Sequence, residues 1–275
     1  MSKRVSLAPQ EFAEYVKGLI REAQSAGVIL RAMGAVAIYI RVMGDQPCLD
    51  LYRAIGRFSD KEFAFTDLDL VGLKKQKSLI ERFFAERGFK PDYYVNAFFS
   101  DRRLIFSHPE NLFSLDVFFS PLEFSHVVDL GKDPESTRLL LEDITLSPAD
   151  LLLLKLQIHD INRKDLADMA VLLACHETSL SDEPGRLNAR RIGEVLADDW
   201  GFWYDATNNM NALRQFIGEY VSRADFADHR QLLERALKNL DFIAKTVDET
   251  PKTKDWLKRA KIGTKKRWYN VVEEV

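Results

Sequence analysis

The sequence predicts an α/β (α+β) fold: a mixed sheet with flanking helices, followed by a mainly helical C-terminal half. Three observations carry this expectation. Amphipathic helical segments and short apolar strand-like runs alternate up to about residue 146. From Ser147 onward the long segments have helical periodicity. The 275 residues are 46% hydrophobic and 29% charged, a globular composition with enough apolar side chains for one large core or two modest ones. The texture change divides the chain into a first domain over residues 1–146 and a second over 147–275.

Residues 9–24 place Phe12, Val16, Leu19, Ile20 and Ala23 at helical spacing before Gly27. Residues 28–33 form a short strand that ends at Gly34. Residues 35–42 are apolar and rich in β-branched side chains; propensity favours a strand, and a helix starting behind Gly34 is equally allowed. Residues 63–72 are an apolar run with acidic interruptions, hence a strand. Residues 75–87 put Leu79, Ile80, Phe83 and Phe84 on one helical face and stop at Gly88. Residues 93–99 and 102–107 read as a hairpin joined through Ser100 and Asp101, 112–119 as a strand alternating about Asp116, and 124–130 as a further strand. Ser147 is placed as an N-cap with Pro148 at the first helical position. Helical spacing then covers residues 151–158, 164–175, 188–197, 211–223 and 229–247.

Composition narrows the function classes. Lys+Arg 39 against Asp+Glu 42 leaves a net charge of -3, so any nucleic-acid contact must be local. Cys48 and Cys175 stand far apart and in no C-x-x-C pair, which argues against a disulfide-built secreted fold and against a thiolate zinc site. No apolar run approaches the roughly 18 residues that span a bilayer. The first residues run straight into a polar segment with Glu11 and Glu14, without the apolar stretch of a signal peptide, so a cytoplasmic protein without membrane contact is expected. Dinucleotide, P-loop, nucleophile-elbow and H-E-x-x-H motifs are absent. The five histidines show no ligand spacing and are expected to be solvated or packed.

The informative residues are acidic. Residues two apart on a strand share a face, so Asp67 and Asp69 of Thr66-Asp67-Leu68-Asp69-Leu70-Val71 place two carboxylates side by side. Like charges in an apolar segment are costly unless a cation neutralises them, and a hard dication with oxygen ligands does so. The bland alternative is an edge strand with two solvated aspartates. Asp116 lies in the middle of a second apolar strand, Phe113-Ser-Leu-Asp116-Val-Phe-Phe119, where an acid is rare unless paired or metal-bound. Were the two strands adjacent, three carboxylates would converge, enough for two-metal phosphoryl or nucleotidyl transfer. A plain structural protein would keep the three apart.

Met33-Gly34-Ala35, Asp67-Leu-Asp69-Leu and Leu115-Asp116-Val-Phe, in that order, resemble the nucleotidyltransferase fold of the polymerase-β superfamily. Leu151 to Gln157 with Lys155, followed by Asn162-Arg-Lys-Asp165-Leu-Ala-Asp168-Met-Ala-Val-Leu-Leu, resembles the corresponding stretch of the AbiEii-type toxin nucleotidyltransferases. The resemblance covers about residues 28–175. It implies a nucleotidyltransferase-like sheet, a helix over residues 35–42, and a transferase moving NMP from an NTP to a hydroxyl with release of pyrophosphate. The acceptor would be an RNA 3′ end, a protein side chain or a small molecule, and the toxin likeness implies an antitoxin protein as a partner. Asp67, Asp69 and Asp116 would hold Mg²⁺ (or Mn²⁺), and Asp116 would help activate the acceptor hydroxyl. Gly34 and Ala35 would offer backbone amides to the triphosphate. Lys155 would neutralise triphosphate charge, with a surface lysine as the bland alternative. Asp165 and Asp168 would lie near the nucleotide, though placement of an acid at a helix start accounts for Asp165 as well. Arg163 and Lys164 would contact phosphate or face solvent.

The chain departs from that pattern at Ala35, where the family has Ser or Gly, and in an insertion over residues 44–59. These departures carry the alternative of a catalytically inactive member that binds nucleotide or a partner protein. Residues 252–267 hold eight basic residues and one acid, with Trp256 inside and Trp268 just after. That composition fits either a grip on single-stranded RNA or a terminal helix over residues 252–261 docking Trp256 and Leu257.

Overall fold

The computed structural model describes residues 7–56 and 65–271. The chain divides into two compact units, the first from Met1–Met43, Phe58–Leu122 and Asp129–Leu146, the second from Gly44–Arg57, Glu123–Val128 and Ser147–Val275.

In chain order the first unit starts with α1 (Pro9–Ser25), β1 (Leu30–Ala32) and α2 (Gly34–Val42); α3 (Gln46–Ala54) belongs to the second unit. The first then continues with β2 (Asp67–Leu73), α4 (Lys77–Glu86), β3 (Lys90–Pro91), α5 (Tyr93–Phe99), β4 (Arg103–Ser107) and β5 (Ser114–Ser120). Residues 35–42 are thus helical, and the strand expected over 63–72 begins at Asp67, residues 63 and 64 lying outside the described residues. The five strands form one mixed sheet in the order β1-β2-β5-β4-β3. β2 and β5 are parallel, while β1 and β4 run antiparallel to their neighbours.

Alternation explains which face is covered. Leu68, Leu70, Leu104, Phe106, Leu115 and Val117 are buried, as are Phe12, Val16 and Ile20 of α1 and Ile80, Phe83 and Phe84 of α4. Phe84 lies 4.9 Å from Phe106 between ring centroids, and Phe12 lies 5.0 Å from Phe113. The alternate positions of β2, β5 and β4 (Asp69, Ser114, Asp116, Arg103 and Ile105) are only half-buried, and Asp67 is exposed. The acids therefore share the sheet face opposite the core.

One expected hairpin strand is a helix. Residues 93–99 form α5, started by Asp92, whose carboxylate accepts the Val95 N–H at 2.9 Å. The apolar run Tyr93-Tyr-Val-Asn-Ala-Phe-Phe99 suits either state, and Asn96 decides it. Its Oδ1 accepts the Ile105 N–H at 2.7 Å, and its Nδ2 donates to the Ile105 carbonyl at 3.0 Å. One side chain thus occupies both ladder groups that a paired strand would take. Where a strand was expected over residues 124–130, only the two-residue strands β6 (Leu122–Glu123) and β7 (Val127–Val128) form.

The second unit contains α6 (Pro148–Leu156), α7 (Arg163–Cys175), the short strands β8 (Thr178–Ser179) and β9 (Leu187–Asn188), then α8 (Ala189–Asp198), α9 (Trp200–Val221), α10 (Arg230–Glu249) and α11 (Lys254–Ala260). Ser147 caps α6 as expected, its hydroxyl accepting the Asp150 N–H at 3.2 Å. α6 and α7 are buried on nearly every side, as central helices are. α9 starts eleven residues before the expected 211–223 because Asp199 caps it, accepting from the Gly201 and Phe202 amides. The insertion over residues 44–59 contains α3, capped by Asp45; residues 57–59 lie outside the described residues. α3 is fastened to α7 by a disulfide between Cys48 and Cys175, a pairing that the wide sequence separation did not suggest.

Candidate active site

The parallel register of β2 and β5 sets Asp69 opposite Asp116 and Asp67 opposite Ser114. Partners in a ladder carry their side chains on the same face, about 5 Å apart. Asp67, Asp69 and Asp116 therefore stand together, contrary to the plain structural reading. The Asp67 carboxylate accepts the Thr66 hydroxyl at 2.7 Å and the Ser114 hydroxyl at 2.5 Å. Arg103 of β4, not expected from sequence, brings its guanidinium to 3.6 Å from Asp116. Burial pushes the Asp116 carboxyl above its ordinary range; Arg103 opposes that shift and Asp67 adds to it.

The turn from β1 into α2 closes on this row. Gly34 has a φ of +67°, and a Cβ built there would lie 3.0 Å from Asp69 Oδ2. Only glycine combines that backbone with that approach. The Met33 N–H donates to the Asp69 carbonyl at 3.0 Å, so β2 itself fixes where α2 begins. The first amides of α2 are the orphan donors of a helix start, next to three carboxylates. Ala35, half-buried, contributes backbone only.

The oxygen donors suit a hard dication, and the repulsion between Asp67 and Asp116 is what such an ion would relieve. As arranged, however, the Asp67 oxygens are turned onto two hydroxyls. Among the described residues no group of three His, Cys, Asp or Glu side chains is placed to hold a metal ion.

Lys155, Asp165 and Asp168 form a cluster within the second unit. Lys155 Nζ lies 2.8 Å from Asp165 and 2.9 Å from Asp168, and the Tyr52 hydroxyl of α3 donates to Asp168 at 2.7 Å. Burial alone would lower the Lys155 pKa, but Asp168 and Asp165 outweigh it and hold the ammonium above its ordinary value. Lys155 is thus neither a surface lysine nor an unmatched cation. Asp165 completes the capping box of α7 with Asn162. Arg163 donates to the Gly56 and Ile55 carbonyls, while Lys164 is exposed.

A third polar group escaped sequence reasoning because its members are scattered. Buried Asp205 sits 2.8 Å from His126 Nε2, 3.0 Å from His159 Nδ1 and 2.9 Å from Trp268 Nε1, which donates to it. Burial works against its charge, but these three hydrogen bonds hold its pKa below the ordinary value. Both histidines are packed, His126 on Phe202 and His159 on Tyr269. Trp268 meets Tyr204 edge-on at 5.1 Å, and Trp256 meets Trp203 at 5.2 Å. The C-terminal tryptophans are therefore engaged in the helical unit, as the docking alternative expected, though Leu257 is exposed.

No family model, no curated protein and no solved structure matches the chain. No described helix is long and apolar enough to cross a membrane.

Proposed function

We propose that the first unit is a divalent-cation-dependent nucleotidyltransferase that moves NMP from an NTP to a hydroxyl acceptor. The observation that carries this reading is the ladder pairing of Asp69 with Asp116, with Asp67 on the same face and the Gly34 turn closing on Asp69. Asp67, Asp69 and Asp116 would hold Mg²⁺, once Asp67 turns away from Thr66 and Ser114. The ion would neutralise triphosphate charge and favour the alkoxide form of the acceptor. The chain's own groups do the rest. The first amides of α2 orient phosphate oxygens. Asp116, whose pKa already lies above the ordinary carboxylate range, accepts the acceptor hydroxyl proton. Arg103 stands beside it to balance charge. Lys155, expected to neutralise triphosphate charge, is paired with Asp165 and Asp168 in the second unit. A cytoplasmic location and an antitoxin partner belong to the same reading.

A second reading is a nucleotide-binding protein without transfer activity, favoured by Ala35 and by the hydroxyl-bound state of Asp67. One experiment separates them: incubation with each of four α-labelled NTPs, Mg²⁺ and total tRNA, beside Asp67→Ala/Asp69→Ala. Label incorporated by the wild-type protein alone is the expected result. Mg²⁺-dependent NTP binding by calorimetry without label would support the binding-only reading, and absence of both would overturn the two together.

A further inference from the structure

Among the described residues, the most exposed aromatic side chains lie on one short helix. Tyr93, Tyr94 and Phe98 of α5 are 81%, 74% and 70% exposed, and Phe99 is 36% exposed. No residue of α5 is buried. Tyr94 and Phe98 are one helical turn apart, with ring centroids at 5.1 Å. Three aromatic rings held largely in water are costly unless something covers them.

α5 is nevertheless fixed in place, because Asn96 holds both backbone groups of Ile105 and Asp92 caps the helix. Ile105 is the ladder partner of Asp116. The order across the sheet is therefore Asp69, Asp116, Ile105, then the edge sealed by Asn96. The strand that α5 seals is thus the direct neighbour of the Asp116 strand, about 5 Å away.

The surroundings indicate the chemistry of the occupant. Lys90 and Arg102, on either side of α5, are exposed. The two neighbouring acids are already engaged, Asp92 as the N-cap and Asp101 in an ion pair with Lys74 at 2.9 Å. Flat rings flanked by cations suit unstacked bases on a phosphate backbone, because every base offers a π-face and every linkage a negative charge.

We propose that α5 is a base-stacking platform for a single-stranded nucleic acid whose end is the acceptor at the carboxylate row. Bases stack on Tyr93, Tyr94 and Phe98, and Lys90 and Arg102 engage the phosphates. The acceptor assignment rests on the nucleotidyltransferase reading; the stacking itself does not.

The test therefore uses full-length Asp69→Ala protein without NTP or divalent cation. Fluorescein-labelled oligo(dA) of about 12 nucleotides is titrated by anisotropy beside an abasic strand of equal length and charge. The expected result is at least about tenfold tighter binding of oligo(dA), a preference that Tyr93→Ala/Tyr94→Ala/Phe98→Ala erases without changing the melting temperature. Lys90→Ala/Arg102→Ala should weaken both strands equally. Equal affinity for the two strands, a preference that survives loss of the rings, or no binding overturns the proposal. So does a dimer, seen by sedimentation, that the ring-less variant abolishes, or vesicle binding that depends on the rings. Base-dependent binding together with absent nucleotidyl transfer would sink the transferase reading and leave the platform standing.

Discussion

Asp116 shows how a single carboxylate can be both a cost and a tool. Burial and the nearby Asp67 charge raise its pKa, and the Arg103 guanidinium at 3.6 Å only partly compensates. A raised carboxyl pKa means that the folded chain holds the proton more tightly than the unfolded chain. Stability contributed by Asp116 is therefore present at low pH and lost as pH rises from the ordinary carboxylate value, near 3.9, through the higher folded value. Asp116→Asn removes that loss. In urea unfolding over a pH series, the variant should become progressively more stable than wild type across this window and then hold a constant lead. At neutral pH it should also lose nucleotidyl transfer by at least about a hundredfold. A stability difference that is flat across the window would refute the electrostatic account. The acids themselves were legible in sequence, since period-two spacing alone puts Asp67 and Asp69 on one face and an acid inside an apolar strand is conspicuous. Arg103 was not, because the antiparallel register of β4 on β5 brings it to Asp116 and no local pattern encodes that register.

Elements were legible where one period dominated and caps were strong. α1, α4 and α10 carry clear apolar stripes, and Ser147 and Pro148 mark the start of α6. α5 was misread because Tyr, Val and Phe favour strands, while the deciding interaction is a contact of Asn96 with Ile105 nine residues away. The role of α3 was hidden for a similar reason: as a stretch between Gly34 and Asp67 it reads as an insertion, whereas its partners lie on α7. Cys48–Cys175 joins residues 127 apart, and Tyr52 with Asp168 supplies a second tie. Crosslinks over so long a loop act largely by restricting the unfolded chain. Reduction should therefore lower unfolding free energy by about 2–4 kcal/mol, measured by urea titration with and without dithiothreitol. Cys48→Ser/Cys175→Ser should match the reduced wild-type protein and be insensitive to reductant. An unchanged midpoint after complete reduction, checked by thiol alkylation, would show that the crosslink contributes nothing. In a reducing compartment the pair is a dithiol, and α3 is then held by its hydrogen bonds and packing alone.

At the scale of the whole molecule, the change of texture near residue 147 corresponds to a real run of helices, but the chain visits the helical unit before then. Residues Gly44–Arg57 and Glu123–Val128 are folded with Ser147–Val275. Those early visits supply groups that the long run needs. Tyr52 is the hydroxyl donor to Asp168, which is fully buried, and the Ile55 and Gly56 carbonyls receive the guanidinium of Arg163. His126 Nε2 donates to the buried Asp205 carboxylate at 2.8 Å. A fragment of residues 147–275 would keep the helices and lose these partners, leaving Asp168 with Lys155 but without its hydroxyl donor, and the surface of α7 that packs against α3 open to water. Leaving a buried group without one of its hydrogen-bond partners costs on the order of 1–3 kcal/mol, and the exposed apolar surface of α7 adds to that loss, a large fraction of the stability of a small domain. The fragment should therefore retain helical far-UV circular dichroism while losing near-UV signal and amide dispersion in its NMR spectrum, the signature of secondary structure without fixed packing. Adding residues 44–57 through a flexible linker should restore cooperative unfolding, and the same linker joined to a Tyr52→Phe/Cys48→Ser segment should restore less of it. A fragment of 147–275 that unfolds cooperatively by itself would show that the early segments are attached to a helical unit that is already complete.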